Sequence, residues 1–180
     1  MRCRITFILS AIAVLLLCTL SAQPLPAESP DLRLTRADGV EQSMAEYIGT
    51  GNWVIANIWS PSCSFCLQEL PAVEAFYAKH KAEGVTVLGI TLDYPSFEYG
   101  KIGIIRQFLQ HHPLDYPIFL ADLGMASEMI GKHLIGIPYT VIYRPDGRIH
   151  ARWGGDIHVE EIEEIMATPS DDTDDWISGF

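Results

Sequence analysis

The sequence predicts an α/β fold, with a mixed central sheet flanked by helices, and three observations carry that reading. Two apolar runs, NWVIANIW at 52–59 and VTVLGITL at 85–92, have the length and bounding residues of strands buried on both faces. Helical patterns lie between and after them, so strands and helices alternate. Near the end, PYTVIY at 138–143 and RIHARW at 148–153 flank Pro145-Asp146-Gly147. That turn closes an antiparallel hairpin, so the sheet must be mixed.

The elements follow in order. DLRLTRADGVEQ alternates on both sides of Asp38-Gly39 and reads as an N-terminal β-hairpin. Ser43 is suited to cap a short helix to about Tyr47. The 52–59 run is the central strand. From Ser62 to Glu83 the pattern is helical, with Phe65, Leu70, Val73, Phe76 and Tyr77 at apolar positions and Gly84 as the stop. After the second buried strand, 98–112 reads as a helix with Ile102, Ile105, Phe108 and Leu109 on one side. YPIFL at 116–120 is a short strand, 124–133 a helix, and a last helix runs from about His158 to Ala167. There is no internal repeat and no second domain.

The two ends differ from this domain. MRCRITFILSAIAVLLLCTLSAQ places Arg2 and Arg4 before an apolar run, the pattern of a secretory signal peptide or a short N-terminal membrane anchor. Residues 1–22 are assigned to it, 23–30 to a Pro-rich linker, 31–167 to the domain and 168–180 to an acidic tail. The tail has four Asp in the six residues from Asp171 and reads as solvated and disordered. The expected location is the periplasm or another extracytoplasmic space. The net charge of −11 becomes −13 once Arg2 and Arg4 are removed with no acid lost. Such a balance argues against nucleic acid and against an anionic membrane surface as partners.

Export also settles the cysteine count. Cys3 and Cys18 fall in the leader, which leaves Cys63 and Cys66 in WSPSCSFC. A bridge across two intervening residues removes little chain entropy, so it makes a poor staple. A zinc site wants four ligands, and no second CxxC or HxxxH pairs with this one. Three readings stay open: a dithiol that exchanges electrons, a two-thiolate copper(I) carrier or metal-site assembly factor, and a peroxidase, which is weaker because a peroxidatic Cys needs no adjacent partner. The strand–turn–helix setting favours exchange. Cys63 falls at a helix start, where N–H groups stabilise a thiolate, and Cys66 lies one turn in. No metal is assigned, and no cofactor beyond a redox-active Cys63–Cys66 disulfide.

Further residues extend the pattern. Trp59 stands four before Cys63, and Glu69 and Pro71 complete C-x-x-C-x-x-E-x-P. GIPYTVIYRPDGRI follows at 136–149. Over about residues 30–167 the chain resembles the thioredoxin superfamily, and within it the extracytoplasmic TlpA/ResA/CcmG-like reductases. The helix and strand at 98–120 match the unit inserted in that branch. The resemblance implies a thioredoxin-like fold and a thiol–disulfide oxidoreductase acting on exported protein thiols and disulfides. The family activity is reduction, for example in cytochrome c maturation, with electrons from a membrane thiol–disulfide donor. It also implies residue roles. Cys63 attacks, Cys66 resolves, and Glu69 handles protons. Pro138 is a cis-proline, and Ile137 before it pairs with the substrate backbone, with Trp59 lining the site. Three departures stand out: Ser62 replaces an aromatic, Tyr139 replaces Thr, and Asn57 occupies a position where plain thioredoxin has Asp.

Overall fold

The computed structural model describes residues 32–92 and 101–169. The leader at 1–22, the linker at 23–30, the start of the 98–112 helix, and all of the tail except Thr168 and Pro169 lie outside them. The elements are β1 (Arg33–Arg36), β2 (Glu41–Ser43), β3 (Val54–Trp59), α1 (Ser64–His80), β4 (Thr86–Leu92), α2 (Ile102–His111), β5 (Ile118–Ala121), α3 (Leu123–Ile130), β6 (Tyr139–Tyr143), β7 (Ile149–Gly154) and α4 (Val159–Ala167). Seven strands form one sheet in the order β2-β1-β5-β4-β3-β6-β7. β3, β4 and β5 run parallel, while β1, β2, β6 and β7 join antiparallel. This is the mixed sheet flanked by helices that the sequence predicts.

β3 lies near the middle because every one of its six residues is apolar or hydrogen-bonded inside, and all six are buried. Alternation sends them to opposite faces. Ile55 and Trp59 join a core with Cys66, Leu70, Val73 and Phe76 of α1, Ile105 of α2, and Ile162 and Ile165 of α4. Val54, Ala56 and Ile58 join a second core with Met44, Ile48 and the Ala126, Met129 and Ile130 side of α3. Three helices thus cover one face and α3 covers the other.

The local predictions hold in detail. Ser43 caps a single 3₁₀ turn, Met44–Glu46, in a capping box with Glu46. Gly84 ends the α1 segment in a left-handed conformation (φ 88°), after a 3₁₀ turn at Lys81–Glu83. Boundaries move by a few residues: α2 opens at Ile102 after an extended Lys101, not at 98. α3 stops at Ile130, because Gly131 (φ 68°) takes the left-handed C-cap, whereas the apolar pattern suggested 133. β5 begins at Ile118, two residues late, because it is registered by β4 and by β1. The N-terminal hairpin is therefore part of the main sheet: Thr35 and Arg36 pair with Leu120 and Phe119. At the far end of α1, Lys79 Nζ and His80 Nε2 both reach Glu163 Oε1, at 2.6 and 2.8 Å, which ties α1 to α4.

One position in the sheet has no room for a side chain. A Cβ on Gly89, in the middle of β4, would lie 2.5 Å from Ile118 Cδ1, 3.1 Å from Tyr116 Cε2 and 3.2 Å from Trp59 Nε1. Gly89→Ala is expected to destabilise the oxidised protein by about 1–3 kcal/mol through overpacking. Urea unfolding measures this. An unchanged midpoint would mean that Ile118 and the two rings move aside freely.

Candidate active site

β3 delivers the chain to the site through a tight turn. The Ser60 Oγ accepts the Ser62 N–H at 3.3 Å and lies 2.9 Å from Ser62 Oγ, while the Cys63 N–H donates to the Ser60 carbonyl at 3.0 Å. The turn sets Cys63 at the N-cap of α1 with extended backbone (φ −92°, ψ 107°). Its Sγ accepts the Cys66 N–H at 3.1 Å, so sulfur takes the place that a Ser or Asp oxygen usually fills. Cys63 and Cys66 are joined as a disulfide, with Cα atoms 5.2 Å apart. Cys66 is fully buried and Cys63 is only partly so. On reduction, a thiolate on Cys63 keeps the N–H donor and the positive end of α1, both of which favour the charged form. Pro71 lies exposed inside α1, where it leaves the Leu67 carbonyl without its usual donor.

The loop before β6 faces the disulfide. The Ile137–Pro138 peptide is cis. The Ile137 carbonyl oxygen lies 3.9 Å from Cys63 Sγ. Since a disulfide sulfur carries no proton, this is a contact and not a hydrogen bond. Pro138 is buried and its carbonyl accepts the Gly155 N–H at 3.0 Å. Ile137 is half-buried and packs against both cores. Two large apolar side chains project near these segments: Phe65, between the cysteines, is 66% exposed, and Ile135 is 77% exposed.

Glu69 lies one turn beyond Cys66 and is buried, with 1% exposure. Oε1 accepts from Asn57 Nδ2 at 2.7 Å, and Oε2 accepts the Ile157 N–H at 3.0 Å. Burial pushes its pKa up to about 7; the two hydrogen bonds oppose that, and the Asp156 charge adds to it. A carboxyl that titrates there suits proton transfer near neutral pH. Asn57 Nδ2 also donates to Thr140 Oγ1 at 3.2 Å, which connects Glu69 to β6.

The structure brings Cys63, Cys66, Ile137 and Pro138 together, with Glu69 beneath them. Trp59 is elsewhere. It is fully buried in the core that includes Cys66, its ring 5.2 Å from Phe108, so it presents no surface to a substrate. Thr140 and Ile157 belong to the site without any sequence cue. Ile157 contributes only a backbone N–H, which any residue but proline could supply. Among the described residues, no three His, Cys, Asp or Glu side chains converge as a metal site. No helix of the described residues is long and apolar enough to cross a membrane.

Comparison with known proteins fits this geometry. Residues 26–152 match the AhpC/TSA family. Relatives include the thiol-disulfide oxidoreductase ResA of Bacillus thuringiensis, 23% identical over 139 residues that cover 77% of this chain and 75% of that one. ResA of Oceanobacillus iheyensis is 26% identical over 141 residues, covering 77% and 69%. Among solved structures, StoA from Bacillus subtilis is similar at a TM-score of 0.61, with 23% identity over 80% of this chain and 99% of that one. A thioredoxin-family thiol:disulfide interchange protein from Chlorobium tepidum gives 0.64, with 19% identity over 80% and 96%. These likenesses establish the thioredoxin-like fold.

The buried carboxyl makes stability depend on pH. With its pKa raised from 4.5 to about 7, folded Glu69 holds a proton that the unfolded chain has already released. Stability should therefore fall as pH rises from about 4.5 through 7, by up to roughly 3 kcal/mol. Glu69→Gln should lack that slope, so the difference between the two proteins should grow in the variant's favour over this window. Urea unfolding at pH 5, 6, 7 and 8 measures it, and parallel curves would place the carboxyl in water.

Proposed function

The chain belongs to the AhpC/TSA family, and on that premise we propose that it is a thiol–disulfide oxidoreductase that reduces exported protein disulfides outside the cytoplasmic membrane. The observation that carries the proposal is the asymmetry of the two sulfurs. Cys63 is reachable, caps α1 and accepts an N–H. Cys66 is closed off. The ResA relatives, named as thiol-disulfide oxidoreductases, and the Arg-flanked apolar leader support the reading.

The reaction starts from the dithiol. The Cys63 thiolate attacks one sulfur of the substrate disulfide. A Cys63–substrate bond forms, the substrate S–S bond breaks, and the second substrate sulfur leaves as a thiolate. Cys66 then attacks Cys63. The Cys63–Cys66 disulfide forms and the first substrate sulfur is released. Two electrons have moved to the substrate. Glu69 takes the proton that Cys66 loses and hands it on to a departing thiolate. Ile137, before Pro138, offers its backbone to an extended substrate segment. Each new cycle needs an external thiol donor, which we assign to a membrane thiol–disulfide carrier. The substrate class includes the disulfide of an oxidised apocytochrome c, which leaves as the dithiol.

The test separates the roles. The reduced protein should reduce insulin disulfides, and Cys63→Ala should abolish this. Cys66→Ala expressed in the native cell should accumulate mixed disulfides, whereas Cys63→Ala should not; trapping by Cys63→Ala alone would reverse the order of attack. Glu69→Gln should slow exchange near neutral pH by on the order of ten- to a hundredfold. Tight, stoichiometric copper(I) binding with no exchange activity would replace the oxidoreductase by a copper carrier.

A further inference from the structure

Asn57 stands in the middle of β3, fully buried, and pairs in register with Gly89 on one side and Thr140 on the other. Its carboxamide is used unevenly. Nδ2 donates twice, to Glu69 Oε1 at 2.7 Å and to Thr140 Oγ1 at 3.2 Å. Oδ1 is buried and has no hydrogen-bond partner among the described residues. An idle buried carbonyl is costly and calls for a reason.

The reason lies in the two forms of Glu69. As a carboxylate, it needs donors, and it has them: Asn57 Nδ2 on one oxygen and the Ile157 N–H on the other. Once protonated, it becomes a donor and needs an acceptor. Both of its oxygens face N–H groups. The unused acceptor at this contact is Oδ1 of the same amide. Rotating the carboxamide by half a turn brings Oδ1 to Glu69 and to Thr140 together. Thr140 fits both arrangements, because a hydroxyl accepts from Nδ2 in one and donates to Oδ1 in the other. An ionised aspartate in this place could accept but not donate, and to donate it would itself have to hold a proton.

We propose that Asn57 is the positioning residue for Glu69, and that its carboxamide turns over as Glu69 gains and loses its proton. The step moves no proton by itself. The carboxyl gains or loses the proton, the amide follows, and the Thr140 hydroxyl reorients. It rests on the reading that Glu69 serves the cysteines, and it extends that reading to β6, which begins directly after Pro138. The other groups bearing on the carboxyl are few. Asp156, beside Ile157, adds negative charge. The Tyr116 phenol stays neutral, its pKa raised by burial, then by Glu74 and Glu69. The raised Glu69 pKa places both carboxyl forms within reach near neutral pH.

The direct test is a neutron structure of the deuterated, oxidised protein at pH 5 and at pH 9. At pH 9 the amide deuterons of Asn57 should face Glu69 and Thr140. At pH 5 Glu69 should carry a deuteron, and Oδ1 should face it. One amide orientation at both pH values, with Glu69 titrated between them, overturns the proposal. In solution, carbon-13 NMR of the Glu69 carboxyl gives its titration midpoint. Asn57→Asp, whose ionised side chain only accepts, should raise that midpoint by roughly one unit or more; an unmoved midpoint overturns the proposal. Should Asn57→Asp fail to fold, nuclear Overhauser contacts of the wild-type Asn57 amide protons serve instead. Contacts to the Thr140 methyl group should weaken at low pH, and pH-independent contacts overturn the proposal. Insulin reduction is scored separately. A fixed amide in an active reductase sinks this inference alone, and a turning amide in an inactive protein sinks the oxidoreductase reading alone.

Discussion

A carboxylate buried under a disulfide constrains everything around it. Glu69 is buried on α1 with Asn57 Nδ2 and the Ile157 N–H meeting its two oxygens. Those partners come from β3 and from the segment leading into α4. The contact therefore fixes how α1 lies on the sheet and where α4 begins. It also explains a polar residue in the most buried strand. Asn57 sits between Ala56 and Ile58, and apolar packing alone would place a Val or Ile there. A hydrogen bond to a charged acceptor compensates for burying the amide.

The two sulfurs depend on the same arrangement from above. β3 ends at Trp59, whose large ring fills the core beside α2, and the chain then turns sharply at Ser60. The turn leaves Cys63 at the helix mouth and Cys66 inside. One sulfur meets solvent, and the other meets the apolar core that holds Trp59. Nothing charged lies between them, since Ser64 and Phe65 fill the gap. The polarity of the site thus comes from backbone: the helix end, the Cys66 N–H and the Ile137 carbonyl.

Much of this was legible in the sequence, because the relevant signals are local. A Cys pair after a buried strand, a glycine after a helix and a Pro-Asp-Gly turn each act within a few residues. The burial of Glu69 is not of that kind. A glutamate on a helix is ordinarily solvated, and only the packing of α1 against β3 decides otherwise. Asn57 read as a missing aspartate; its value as a donor depends on the register that sets it beside Thr140. Trp59 stands near the cysteines in sequence, yet strand alternation turns it into the core. The docking of the first hairpin onto β5 joins residues more than eighty positions apart, and no periodicity reports such a pairing.

The outermost strands bear on the fate of the chain before and after it folds. An open sheet ends in unpaired N–H and C=O groups, which invite another chain to extend it. Here one border is β2, only three residues long and opened by the exposed Glu41. The other, β7, carries His150 and Arg152 and meets β6 through a register shift between Ile142 and Tyr143. His150 Nε2 lies 2.7 Å from the Ile165 carbonyl of α4, which holds a helix against that border. Neither rim offers the long, flat, apolar template on which aggregates grow. On the proposed reading, extended substrate chains are met at the loop before β6, and these borders do not recruit them.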